Sequence, residues 1–297
     1  MTTPCLGPIK ETRKPGRLPP PGAYDCHFHV FAPLKKYLMI TERGYTPPEV
    51  TLADYESMLA TLGIGRAVIV QPSIFGTDNR ATLEALSGMG LSRGRGVAVV
   101  DSAVSKSMLE GMNTIDVRGV WLNLMFREGI GLDHMERLAD RLKEFGCHLQ
   151  FLLNARDLVD LSPRLKKLPV DIMMNHMGYM SVDHGIDHPG FQTLLDLIKG
   201  GAWVKLSGNY RISKEGPPYR DAIPFAQALI KTSPQRVVWG TDWPHPALQS
   251  AMPNEADLLN ALDDWELDEA ERHAILVANS AMLHGFDDAM SSELAAA

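Results

Sequence analysis

No stretch of the 297-residue sequence stays apolar for the ~20 residues that a bilayer-spanning helix needs, which argues against a membrane partner. The opening "MTTPCLGPIKETRKPGRLPPPG" carries basic residues and prolines but no apolar signal segment, so a cytoplasmic location is the expectation. Cysteine is scarce. Cys5, Cys26 and Cys147 are odd in number and far apart, which suits free thiols in a reducing compartment better than a disulfide framework. Positive charge is not in surplus either. The formal net charge of -7 argues against a nucleic-acid partner. Low-complexity tracts are missing. These absences leave a small-molecule protein, expected as a monomer or small homo-oligomer.

What is present is a repeating alternation. Eight short apolar runs rich in β-branched residues recur: "AYDCHFHV", "RAVIVQ", "GVAVV", "VRGVWLNL", "CHLQFLL", "VDIMMNH", "AWVKLSG" and "RVVWGTD". Amphipathic stretches with helix-start signals lie between them, among them Thr51 before "LADYESMLATLG", Asp133 before "HMERLADRLKEFG" and Pro217-Pro218 before "YRDAIPFAQALIKT". Nearly continuous apolar strands alternating with helices imply parallel pairing, so the fold class is α/β, a single (β/α)8 TIM barrel. Residues 23–286 form the expected barrel. Residues 1–22 read as an extended arm that either wraps the body or stays free, and 287–297 as a frayed tail.

In such a barrel the active site lies at the C-terminal strand ends. Unusual polar residues collect there: His27 and His29 on the first strand, Gln71 and Ser73 on the second, Asn123 on the fourth, Gln150 and Asn154 on the fifth. His176 follows on the sixth, Lys205 and Ser207 on the seventh, and Asp242 on the eighth. Side chains alternate faces along a strand, so His27 and His29 point the same way with Phe28 opposed. Burying so many polar groups is expensive unless they are used.

The motifs "DCHFHVF", "NHMG" and "WGTDWPHP", together with "VQPSIFGTDN", "RGVWLN" and "KLSGNYRIS", resemble the amidohydrolase superfamily in its branch of pyrone-dicarboxylate and related lactonases. The resemblance covers roughly residues 20–286 and implies the amidohydrolase-type barrel, hydrolysis of a cyclic ester and a central cluster of His27, His29, His176 and Asp242. Lactone hydrolysis needs an activated water and a polarised carbonyl. Asp242 is the expected general base and proton carrier, with the three histidines polarising the carbonyl. Alternatively, His27, His29 and Asp242 hold one zinc or manganese ion. A bridging lysine or glutamate is missing from the end of the fourth strand, which argues against two metals. A histidine is missing from the outer part of the fifth, where His148 comes too early. The favoured expectation is that no metal is required.

Arginine binds carboxylates in bidentate fashion. Arg127 and Arg211 align with carboxylate-binding arginines of the lactonase branch, and Ser73, Thr77, Asn123, Gln150 and Tyr210 are further candidates to bind substrate. Trp121 stands where that branch has an arginine on the fourth strand, which shifts the expectation from a pyrone dicarboxylate to another small anionic lactone: a muconolactone, a sulfonated muconolactone or a sugar-acid lactone from the breakdown of an aromatic or sugar acid. His245 is expected either to touch the substrate or to shape its loop, and Lys205 is a candidate ion-pair partner of Asp242. The alternatives are a metal-dependent aromatic acid decarboxylase of the same superfamily and a non-catalytic binding barrel.

Overall fold

The computed structural model describes residues 4–31, 33–125, 132–249 and 251–286. Arg127 and the tail 287–297 therefore lie outside the described residues. The eight strands are β1 (Tyr24–Phe28), β2 (Arg66–Val70), β3 (Gly94–Ala98), β4 (Val117–Asn123), β5 (His148–Leu152), β6 (Ile172–Met174), β7 (Trp203–Leu206) and β8 (Val237–Trp239), and each pairs in parallel with the next. Phe28 bridges Trp243 just past β8, so the ring nearly closes. All eight expected runs became strands, and nearly every strand residue is buried, as a sheet covered on both faces requires.

The intervening helices are α1 (Leu52–Leu62), α2 (Arg80–Met89), α3 (Lys106–Thr114), α4 (Met135–Leu142), α5 (Leu158–Leu165), α6 (Pro189–Lys199), α7 (Asn209–Ile212) and α8 (Ile223–Thr232). Past the barrel come α9 (Glu255–Asn260), α10 (Glu269–His273) and, after a π-helical turn, α11 (Asn279–His284). Among the described residues no helix is long and apolar enough to cross a membrane.

Helix starts followed local chemistry unevenly. Thr51 caps α1 in a reciprocal box with Asp54. Asp133 does not cap α4: the N-cap is His134, and a turn from Leu132 O already satisfies Met135 N–H. Pro217 and Pro218 precede a turn at Tyr219 and a 3-10 turn over Arg220–Ala222 rather than the α-helix itself. Tyr219 has φ 61, which no α-helix tolerates, and α8 starts only at Ile223 with Pro224 in its first turn.

The seam between β1 and β8 positions the site. Asp25 accepts from His27 N at 3.0 Å and Thr241 N at 2.9 Å, and its second oxygen accepts from Thr241 Oγ1 at 2.6 Å and Tyr55 OH at 3.0 Å. A Cβ on Gly240 would sit 2.9 Å from both the Cβ and the backbone nitrogen of His27, so glycine is what lets the two chains approach. The N-terminal arm wraps the body. Cys5 N donates to Thr46 O, Leu6 N to Leu248 O, Arg13 N to Asn254 Oδ1 and Gly16 N to Asn260 Oδ1. All three cysteines are buried free thiols.

Candidate active site

Four expected residues converge at the C-terminal strand ends, all buried: His27 in β1, His29 just after it, His176 after β6 and Asp242 after β8. Asp242 has φ 63, and its N–H donates to His27 O at 2.9 Å, while His29 N donates to Trp243 O at 2.8 Å. These backbone bonds lock the aspartate against the histidine pair. Its Oδ1 lies 3.5 Å from His27 Nε2 and 3.6 Å from His29 Nε2, and those two nitrogens are 3.2 Å apart. Oδ1 has no hydrogen-bond partner among the described residues, whereas Oδ2 accepts from Tyr210 OH and Arg211 Nε, each at 2.6 Å. His176 Nε2 stands 3.9 Å from Oδ2, and its Nδ1 meets Ser207 Oγ at 2.8 Å.

Tautomers follow from the partners. Val70 O can only accept, so His29 Nδ1, 2.8 Å away, carries a proton and Nε2 presents a lone pair to the cluster. His27 Nδ1 faces Lys205 Nζ at 3.1 Å; an ammonium there donates, which places the ring proton on Nε2, toward His29 and Asp242. Burial pulls Lys205 down to about 8 and His176 down to about 3. His27 falls well below the imidazole range through burial and then the Lys205 charge. Burial works to raise Asp242, yet the Arg211 guanidinium and the surrounding rings hold it well below the carboxylate range.

The other expected residues divide between the cavity, which Arg211 lines, and its surroundings. Arg211 is committed to Asp242 through Nε and to Pro246 O through Nη2 at 3.1 Å, and among the described residues Nη1 has no hydrogen-bond acceptor. Lys205 bonds His27 and Gln150 rather than pairing directly with Asp242. Gln150 is buried against Lys205, away from the cavity, and Asn123 Oδ1 accepts from Met125 N at 3.0 Å. Thr77 is exposed because its turn directs only the carbonyl inward, to Asn79 Nδ2. Gln71 and Asn154 tie loops. Ser73 and Trp121 do line the cavity, and both ring nitrogens of His245 are engaged by Tyr210 and Glu255.

Sequence reasoning missed Tyr45 and Tyr179, which face the cavity from loops with no motif of their own, and Ala247 beside Pro246. It also missed Asp25, whose signal was available: a carboxylate two residues before a histidine, inside an apolar strand. The space left among these groups is about 20 Å³, room for one water.

This arrangement defines a class. Residues 24–286 match the amidohydrolase family, and the chain belongs to it. Among curated relatives, the 4-sulfomuconolactone hydrolase of Hydrogenophaga intermedia is 38% identical over 291 residues, covering 95% of this chain and 94% of that one. The 2-pyrone-4,6-dicarboxylate hydrolase of Comamonas testosteroni is 33% identical, covering 89% of this chain and 90% of its own. Among solved structures, a probable 2-pyrone-4,6-dicarboxylic acid hydrolase from Acinetobacter baumannii with citric acid bound superposes with a TM-score of 0.80 at 27% identity, over 89% of this chain and 100% of that one. A decarboxylase on the same barrel is 15% identical and shares the fold alone.

Proposed function

We propose that this chain opens a small anionic lactone by adding water across its ester bond. One observation carries the reading: Asp242 is clamped through Oδ2 by Tyr210 and Arg211, while its unpartnered Oδ1 faces His27 and His29 across a space the size of a water. Oδ1 accepts the proton of the attacking water as the water oxygen bonds the carbonyl carbon. His27 Nε2–H and His176 donate toward the oxygen that gains charge. The ring C–O bond then breaks, and Asp242 returns the proton to the departing oxygen. A low carboxylate pKa makes Asp242 a weak base, so placement rather than basicity supplies its advantage.

The donor set also fits one divalent ion. A tetrahedral ion with bonds of about 2.0–2.1 Å separates its ligands by roughly 3.3–3.4 Å, close to the triangle of His27 Nε2, His29 Nε2 and Asp242 Oδ1. The orphaned Oδ1 fits the same purpose. When bound, such an ion would lower the pKa of water and polarise the carbonyl. Holding it needs the His27 Nε2 lone pair, so the ring proton would sit on Nδ1 against an uncharged Lys205.

For the substrate, Nη1 of Arg211 offers one fork arm to an anionic group, and Trp121 supplies an apolar wall in place of a further cation. That combination suits a sulfonated or carboxylated muconolactone better than a ring bearing two carboxylates. The relatives named for sulfomuconolactone point the same way. The test is acid release from a panel of carboxylated and sulfonated lactones, using metal-analysed protein before and after chelation. Ring opening supports the reading. Carbon dioxide from an aromatic acid with no lactone opened would replace it with the decarboxylase.

A further inference from the structure

We infer that Glu255 is a positioning residue for Asp242, acting through His245 and Tyr210; the inference rests on the reading of Asp242 as the water-activating group. A continuous hydrogen-bonded chain, partly buried at Tyr210, joins the two carboxylates: Asp242 Oδ2 to Tyr210 OH at 2.6 Å, Tyr210 OH to His245 Nδ1 at 3.0 Å, and His245 Nε2 to Glu255 Oε1 at 3.2 Å. Hydrogen counting gives it a direction. An ionised carboxylate only accepts and a phenol has one hydrogen, so Tyr210 spends that hydrogen on Asp242 and receives one from His245 Nδ1. The ring's other nitrogen then shares a proton with Glu255, whichever atom holds it.

Glu255 fixes this pattern because it is the group that meets Nε2. Without it, the imidazole can move its proton to Nε2 and offer Nδ1 as an acceptor. The Tyr210 hydrogen would then turn away from Asp242, and Oδ2 would lose one of its two donors. His245 and Glu255 are both fully buried, and pairing such groups costs more desolvation than an apolar pair would. A turn with left-handed φ of 63 at Asp242 and 61 at His245, closed by His245 N donating to Asp242 O at 2.7 Å, carries the ring to its place.

Glu255 is itself held. It is the first residue of α9, its second oxygen accepts from Thr12 Oγ1 at 3.2 Å, and the helix cap Asn254 is gripped by Arg13 N and Glu11 O. The wrapping arm thus sets α9, and α9 presents the carboxylate.

The test is a double-mutant cycle in the full-length chain with Glu255→Gln, Glu255→Leu and Tyr210→Phe. Glutamine can donate its amide to His245 Nε2 and preserve the Nδ1 proton; leucine cannot. Glu255→Gln should stay within about threefold of wild type, whereas Glu255→Leu should lower kcat about 10- to 100-fold at nearly unchanged KM. In the Tyr210→Phe background Glu255→Leu should add nothing further. Equal losses in both backgrounds, a loss confined to KM, or glutamine as damaging as leucine would overturn the inference. If the wild type opens no lactone, the proposed function fails separately, and urea denaturation of the same variants reads the coupling: non-additive stabilities support it and additive ones overturn it.

Discussion

Asp242 is pulled by opposite demands, since burial favours its neutral form and the guanidinium of Arg211 favours its charge. The charge wins, with two consequences. The carboxylate stays ionised far into the acid range, and Oδ1 stays a pure acceptor. Activity requires the ionised form, so falling pH removes it only below the ordinary carboxylate range. His176, held down to about 3 chiefly by burial, likewise stays neutral across the same interval. The kcat/KM of folded enzyme should therefore be level from pH 7 to about pH 4; a fall centred near the ordinary imidazole value would show that His176 is not held as described, and one near the ordinary carboxylate value that Asp242 is not. At this scale the four central residues were legible because histidine and aspartate at strand ends have few other uses. The commitment of Arg211 was not. Which carboxylate an arginine meets depends on the four-residue helix α7, whose placement no local pattern encodes.

Among the elements, the β1–β8 seam carries the site. Gly240→Ala would force a methyl to within 2.9 Å of the His27 backbone, which has no soft side to yield. Overpacking of this kind costs about 1–3 kcal/mol, and here the displaced groups are His27 and Asp242. Loss of stability together with at least a tenfold fall in kcat is expected. Gly111→Ala is the control: it lies exposed in α3 with nothing within 4 Å, so it should gain about 0.5–1 kcal/mol and leave turnover unchanged. Equal effects of the two substitutions on kcat would argue that the seam does not set the geometry. Strands and most helices were readable from apolar periodicity. The starts of α4 and α8 were misread because an aspartate and two prolines signal a turn as readily as a cap.

At the scale of the whole molecule, the two ends of the barrel divide the work. His148, which opens β5, and His284, near the end of α11, pack with ring centroids 5.3 Å apart, both fully buried away from the catalytic cluster. Burial, then the Lys205 charge, lowers His148 from 6.5 to about 4. A histidine whose folded pKa is depressed contributes stability that is complete above 6.5 and is lost as pH falls toward 4, because the unfolded chain takes up the proton first. Its share between pH 7 and pH 5 is roughly 2 kcal/mol. Urea titrations should show the wild type weakening over that interval and His148→Gln weakening less; parallel slopes would contradict this. The arm's path around α9 was illegible in the sequence, since its partners lie more than two hundred residues away and are met one hydrogen bond at a time.

Asp242→Asn tests the central claim most directly. The amide keeps the shape but cannot take a proton from water. With a lactone that the wild type opens, turnover should fall about 10²- to 10⁴-fold while the dissociation constant stays within a few-fold. Unchanged turnover at preserved fold would contradict the assignment of Asp242 as the group that activates water.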